Sequence, residues 1–314
     1  MSIRRVFIES LAALTLLGCA EPAAKSEPAF VTGIGGADSG SCSESSSPNA
    51  WASWPLPDPT IQSGATAQHY TEGSPDVAID DVTGLSWQRR ANENTSTWEE
   101  ARQYCGCLTL GGHDDWQLPS RMELVSIVDF TRQDPALDSL AFPDTPFEWF
   151  WSSSPVASDG ELVWYVAFFD GNTHTSNKDS SYRVRCVRHA EAKPKRYLSA
   201  ADGTVSDALT GLTWQRATSP TQLNWAEARA YCAGLALAGG GFRLPNMKEL
   251  QSLIDESASD PAIDGSQFPE TPSEGYWAAT PLAGSESAAW FVNFTSGVAY
   301  NSLVERSERV RCVR

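Results

Sequence analysis

The sequence predicts an α+β protein in which one domain is written twice, each copy holding two helices and a short-stranded antiparallel sheet. Three observations carry this reading: a duplication at a shift of 126 to 127 residues, a helical apolar period that recurs early in each copy, and alternating Trp-rich segments that close each copy.

"DDVTGLSWQRR" from Asp80 faces "DALTGLTWQRA" from Asp207, and "WEEARQYC" from Trp98 faces "WAEARAYC" from Trp225. "LPSRMELVSIVD" from Leu118 faces "LPNMKELQSLID" from Leu244, "DPALD" faces "DPAID", "FPDTP" faces "FPETP", and "RVRCVR" closes both copies. A period this long repeats whole domains rather than the small units of a solenoid. The copies are placed at 70–189 and 197–314, with 190–196 as a connector.

Within each copy the signals keep one order. "TGLSWQ" reads as a short strand with Leu85 and Trp87 alternating. Trp98, Ala101, Cys105 and Leu108 follow at steps of three and four, as do Trp225, Ala228, Cys232 and Leu235, which marks one face of an amphipathic helix. Ser120 with Glu123, and Asn246 with Glu249, cap the start of a second helix. "WYVAF" and "WFVNF" then alternate as strands and lead through a Gly-containing turn to the last arginine-cysteine strand. In that strand Val184 and Cys186 share one face and Arg183 and Arg185 the other. In a chain of net charge −16 the arginines are expected to pair with its own carboxylates rather than to form an anion-binding strip.

Residues 1–18, "MSIRRVFIESLAALTLLG", pair two arginines with an apolar run too short to span a bilayer as a permanent helix, so they read as a signal peptide. "LLGC" resembles the lipobox of bacterial lipoproteins, which implies lipidation of Cys19. Ala20 and Glu21 follow, without the aspartate that commonly retains such proteins at the inner membrane, so the outer membrane or cell surface is expected. Residues 19–69, rich in Ser, Gly, Pro and Ala, read as a flexible tether. The acidic balance disfavours nucleic acid, and the lipid is the one membrane attachment expected.

An exported chain with a duplicated cysteine pair most economically forms a duplicated disulfide, Cys105–Cys186 and Cys232–Cys312, with buried free thiols or another connectivity as the alternative. Cys42 and Cys107 have no counterparts in the second copy; they either pair or stay separate, and C-x-C alone lacks a four-ligand metal set.

In order and spacing, "TGLSWQ", "WEEARQYC", "GGHDDWQLPSRMEL", "DPALD", "FPDTP", "WSSS", "WYVAFFDG" and "RVRCVR" resemble the C-terminal domain of the Legionella collagen-like adhesin, over about three quarters of the chain. More distantly the chain resembles the C-type-lectin and formylglycine-generating-enzyme fold group. The resemblance implies two tandem C-type-lectin-like domains and extracellular recognition. The sulfated ligand of the adhesin calls for a basic face, so a generic glycan or a protein is the expected partner of this acidic chain. The E-P-N or Q-P-D loop of calcium-dependent lectins is absent.

No catalytic set stands out. The four histidines lack H-x-x-x-H spacing, and no nucleophile elbow or phosphate loop occurs in a strand-to-helix context. The trios Asp129, Asp134, Asp138 and Asp255, Asp260, Asp264 read as turn and capping groups, with calcium binding or acid/base chemistry as the alternatives. Trp87, Trp98, Trp151 and Trp164, matched by Trp214, Trp225, Trp277 and Trp290, read as core. Trp149, in "FEWFW", is different, because adjacent aromatics cannot all face inward. With Asp170, Asn172, His174, Asn177, Tyr182, Tyr300 and Asn301 it forms the expected ligand-binding surface. The expectation is thus a non-catalytic cell-envelope lipoprotein for recognition or adhesion, with neither cofactor nor metal. The alternatives are an enzyme on a formylglycine-generating-enzyme-like scaffold, for which Cys107 offers the one unmatched reactive thiol, and a structural envelope protein.

Overall fold

The computed structural model describes residues 69–188 and 196–314, so the leader, Cys19, Cys42 and most of the tether and connector lie outside the described residues. The first copy runs β1 (Tyr70–Ser74), β2 (Val77–Asp80), β3 (Ser86–Gln88), α1 (Trp98–Gly106), α2 (Arg121–Ser126), β4 (Trp149–Val156), β5 (Asp159–Ala167), β6 (Thr173–Asn177) and β7 (Val187–Arg188). The second runs β8 (Tyr197–Ser199), β9 (Thr204–Asp207), β10 (Thr213–Gln215), α3 (Trp225–Ala233), a 3-10 turn (Leu237–Gly239), α4 (Met247–Ser252), β11 (Gly275–Pro281), β12 (Ala288–Asn293) and β13 (Val298–Leu303).

All four α-helices start at a complete capping box. Ser120 with Glu123 and Asn246 with Glu249 act as the sequence predicts, and Thr97 with Glu100 and Asn224 with Glu227 do the same for α1 and α3. Each box satisfies two of the backbone N–H groups that a helix start leaves unpaired. The first helix is shorter than its apolar period suggests. It ends at Gly106, with Cys107 as C-cap, and Leu108 lies beyond it in the chain that leads to a turn at Gly111 and Gly112.

The sheets depart from the expected one-per-copy plan. β1, β2, β3 and β7 form one small antiparallel sheet, and β8, β9 and β10 form its counterpart. The remaining strands join across the copies in a six-stranded sheet of order β11-β12-β13-β6-β5-β4. The joint is the antiparallel pair Ala299–Thr173. These two residues are counterparts at a shift of 126, so the seam lies on a local pseudo-two-fold axis.

Packing follows the same plan. One continuous core contains Val125, Phe130, Phe150 and Val166 from the first copy together with Leu250, Tyr276, Trp290 and Val292 from the second. Two satellite clusters surround the disulfides: Ala101, Trp151 and Val184 with Cys105–Cys186, and Ala228, Trp277 and Val310 with Cys232–Cys312. Six of the eight matched tryptophans are at most 1% exposed, and each such side chain contributes on the order of 2–3 kcal/mol of burial free energy. At the seam Gly297 takes φ +84°, and a Cβ there would strike Ile254 beside the Trp164 ring of the other copy. Glycine is what lets this turn press so closely on both copies.

The arginines of the closing strands divide into two kinds. Arg183 and Arg309 pair with Glu148 and Glu274 at 2.9 and 2.7 Å, as expected of an acidic chain. Arg185 and Arg311 are fully buried and, among the described residues, pair with no carboxylate. Arg185 donates to the carbonyls of Gln88 and Arg89 and to Thr145 Oγ1, and lies 4.7 Å from the Phe142 ring centroid. Arg311 repeats this with Gln215, Arg216, Thr271 and Phe268. Alternation places these side chains away from the cysteine face, but that side too is covered, by the loop carrying Phe142 or Phe268. Burial pulls the guanidinium pKa down to about 9 for Arg185 and about 10 for Arg311.

Candidate functional site

The six-stranded sheet has two faces, and period-two alternation assigns residues to each. One face carries Phe150, Val166, Trp290 and Val292 into the shared core, with Trp164 buried on the same side under Arg121, where α2 and α4 contact the sheet. The other carries a row of rings at matching register: Trp151 opposite Tyr165, Tyr165 opposite His174, Tyr300 opposite Phe291, and Phe291 opposite Trp277. Each residue in the first half has its counterpart 126 positions on in the second, so the row crosses all six strands as a near-palindrome.

The ends of the row are buried, at Trp151 and Trp277, and its middle is open. Tyr165 and His174 lie at 6.0 Å with their planes inclined by 31°, and Phe291 and Tyr300 at 5.9 Å and 33°. The two shallow pairs meet edge to face at the seam, where His174 and Tyr300 stand 5.1 Å apart at 70°. Trp149, 43% exposed, extends the row by contacts to Tyr165 and Tyr182. Tyr182 in turn packs on Tyr165 and Trp151 and donates its hydroxyl hydrogen to Ser176 Oγ.

The residues singled out from sequence therefore fall into three groups. Trp149, His174, Tyr182 and Tyr300 are brought together on the ringed face. Asp170 and Asn172 shape the turn before β6: Asp170 accepts from the Asn172 backbone N–H at 2.9 Å and from its side-chain amide. Burial raises the Asp170 carboxyl above the usual range and lowers the nearby His174 imidazole, which Asp170 partly offsets. Asn177 and Asn301 stand opposite Leu162 and Trp290 and project to the other face. Tyr165 and Phe291 belong to the site but were hidden in "WYVAF" and "WFVNF", where the tryptophans dominate the apolar pattern. Their aromatic character in both copies, at the parity opposite to Trp164 and Trp290, is the signal that finds them.

Glu308 completes the surface at its second-copy end. A Cβ at Gly275 would overlap the Glu308 carboxylate and touch the Phe291 ring, so carboxylate and ring both crowd this glycine. Among the described residues it takes no hydrogen bond or ion pair; burial raises its pKa, and Arg306 is near enough to lower it but not to pair. In the first copy the corresponding place is filled by Trp149 and Tyr182, the counterparts of Gly275 and Glu308.

The acidic trios serve turns. Asp129 accepts from Thr131 N–H and Asp138 from Leu140 N–H, with Asp255 and Asp264 acting likewise on Ser257 and Ser266. Among the described residues no three His, Cys, Asp or Glu side chains gather as a metal site would require, and no helix is long and apolar enough to cross a membrane. Cys107 is disulfide-bonded, and its expected partner, Cys42, lies outside the described residues. A family model, that of the Lcl C-terminal domain, matches residues 76–188 and again residues 203–314. No curated protein matches the chain.

Proposed function

This chain belongs to the Lcl C-terminal domain family, of which it carries two copies, and from that premise we propose that it is a non-catalytic lipoprotein of the bacterial cell envelope whose tandem C-type-lectin-like domains recognise a glycan or protein outside the cell. The observation that carries this reading is the partly exposed aromatic face that runs without a break across the seam. Partly exposed rings gathered on a rigid sheet offer a large contact area at little cost in side-chain entropy.

Three further features support it. A leader ending in "LLGC" suits lipid attachment at Cys19 and an outer-membrane or surface destination. Disulfides from the first helix to the last strand of each copy suit an oxidising compartment and the C-type-lectin-like assignment. The disulfide at Cys107 occupies the thiol on which an enzyme of the formylglycine-generating type would draw, which favours binding over catalysis.

Palmitate labelling of cells expressing the chain, followed by screening the lipidated protein on a glycan and matrix-protein array, tests the proposal. Label that disappears in Cys19→Ala, with array signal above background, is the expected result. Failure to bind any array member, together with hydrolytic turnover, would overturn it.

A further inference from the structure

Resting on the recognition reading, we propose that the ringed face of the six-stranded sheet is one composite binding site for an uncharged polysaccharide, lined by Trp149, Tyr165, His174, Tyr300, Phe291 and Glu308.

The shape comes from the seam. His174 and Tyr300 are counterparts, one from each copy, and they touch only because β6 and β13 pair. The two tilted ring pairs on either side form a continuous strip running across the strands. An extended chain of pyranose rings presents apolar C–H faces in succession, which such a strip can stack against one after another.

Charge selects the class. The chain as a whole is 20% charged, yet on this face β4, β5, β6, β12 and β13 present mainly aromatic, aliphatic, Ser and Asn side chains, with His174 the one titratable cation of these strands and the acidic Asp159 and Glu161 at the exposed start of β5. The nearby guanidiniums of Arg183 and Arg309 are held by Glu148 and Glu274. Glu308, whose carboxylate crowds Gly275 together with the Phe291 ring and has no hydrogen-bond partner among the described residues, is an acceptor ready for sugar hydroxyls and repels sulfate or uronate groups. Ser176 supplies a hydroxyl at the opposite end of the strip, already part of a network with Ser180 and Tyr182.

The test is affinity electrophoresis of the full chain in gels containing soluble β-glucan, mannan, xylan or galactan, with dextran sulfate in parallel. Retardation by at least one neutral polymer and none by dextran sulfate is expected. Tyr165→Ala and Tyr300→Ala should each weaken that retardation by about ten-fold, as loss of a stacking ring does. Glu308→Gln should weaken it by roughly three- to ten-fold, while Asn177→Ala and Asn301→Ala, on the other face, should leave it unchanged. Quenching or a blue shift of Trp149 emission on titrating the retained polymer gives a second readout that does not depend on the variants. Retardation by dextran sulfate alone, or undiminished retardation of Tyr300→Ala, would overturn the proposal. Capture of a protein and no glycan on the array would overturn it too while leaving the recognition reading standing, whereas no ligand of any kind would remove both.

Discussion

The two copies share motifs, disulfides, helix caps and buried arginines, yet they meet through unlike residues, and that difference shows how each copy depends on the other. Arg121 opens α2 in the first copy, where its counterpart in α4 is Met247; Lys248 is the second residue of α4, where its counterpart is Met122. Both cations are fully buried and both reach into the opposite copy. Arg121 donates to Glu256 at 2.8 Å, to Gln251 Oε1 and to the Gly297 carbonyl, and stacks over Trp164. Lys248 donates to the Ser126 carbonyl at 2.8 Å and lowers the pKa of buried Asp80, a carboxyl that burial itself raises.

The second copy meets the same need from its own chain. Asp207, the counterpart of Asp80, pairs with Arg196 at 3.2 Å, and Arg196 also donates to the carbonyl of Ser252, the counterpart of Ser126. At the equivalent place in the first copy stands His69, which bonds the exposed Asp81 instead. The first copy thus receives from the second a cation whose field reaches its buried carboxylate, although Asp80 Oδ2 itself takes no hydrogen bond among the described residues.

The largest expected effect concerns what the copies have in common. Removing either disulfide, by Cys105→Ala with Cys186→Ala or by Cys232→Ala with Cys312→Ala, opens a loop of 81 or 80 residues and should cost about 4 kcal/mol. Because both copies feed one core, denaturant unfolding should show either loss as a displacement of the same transition. A variant that unfolds one copy and spares the other would break the comparison.

The seam residues come next. Arg121→Met and Lys248→Met should each destabilise the chain by about 2–4 kcal/mol, since each strands carbonyls or carboxylates in the opposite copy. Their counterparts Met247→Leu and Met122→Leu should cost under about 1.5 kcal/mol. Equal costs on the two sides of the seam would show that the asymmetry carries no energy.

The smallest effects concern acid. Hydrogen bonds from Arg183 and Arg309 hold Glu148 and Glu274 below the usual carboxylate range. A carboxylate lowered in the folded state contributes stability above its unfolded value of about 4.5, and that contribution is lost as pH falls through the lowered value. Thermal melts should therefore show a steep acid limb below that pH, shallower in Glu274→Gln. Glu308, raised by burial, has the opposite sign: its cost is present at neutral pH and disappears as it protonates. Glu308→Gln should raise stability at pH 7 by less than about 1 kcal/mol.

Much of each copy was legible because its signals are local. Capping boxes sit within four residues, the helical period shows Ala101 and Cys105 on one face, and the duplicated cysteines point to their own pairing. The joined sheet was not legible, because β6 "THTSN" and β13 "VAYNSL" carry little apolar alternation and pair at a single register position. Burial of Arg185 was missed for a related reason: alternation tells which side a residue faces but not whether a loop carrying Phe142 covers that side. On the surface, Trp149 stands out as an aromatic too many for one strand face, whereas the sequence around Asn177 and Asn301 reads as polar loop and does not reveal the strand parity that turns both to the other face.

Differential scanning calorimetry of the intact chain tests most directly whether the second copy completes the first. Two copies sharing one sheet, one core and buried cations exchanged across a seam should unfold in a single transition, with calorimetric and van't Hoff enthalpies equal. Two resolved transitions, or one whose calorimetric enthalpy is twice the van't Hoff value, would contradict it.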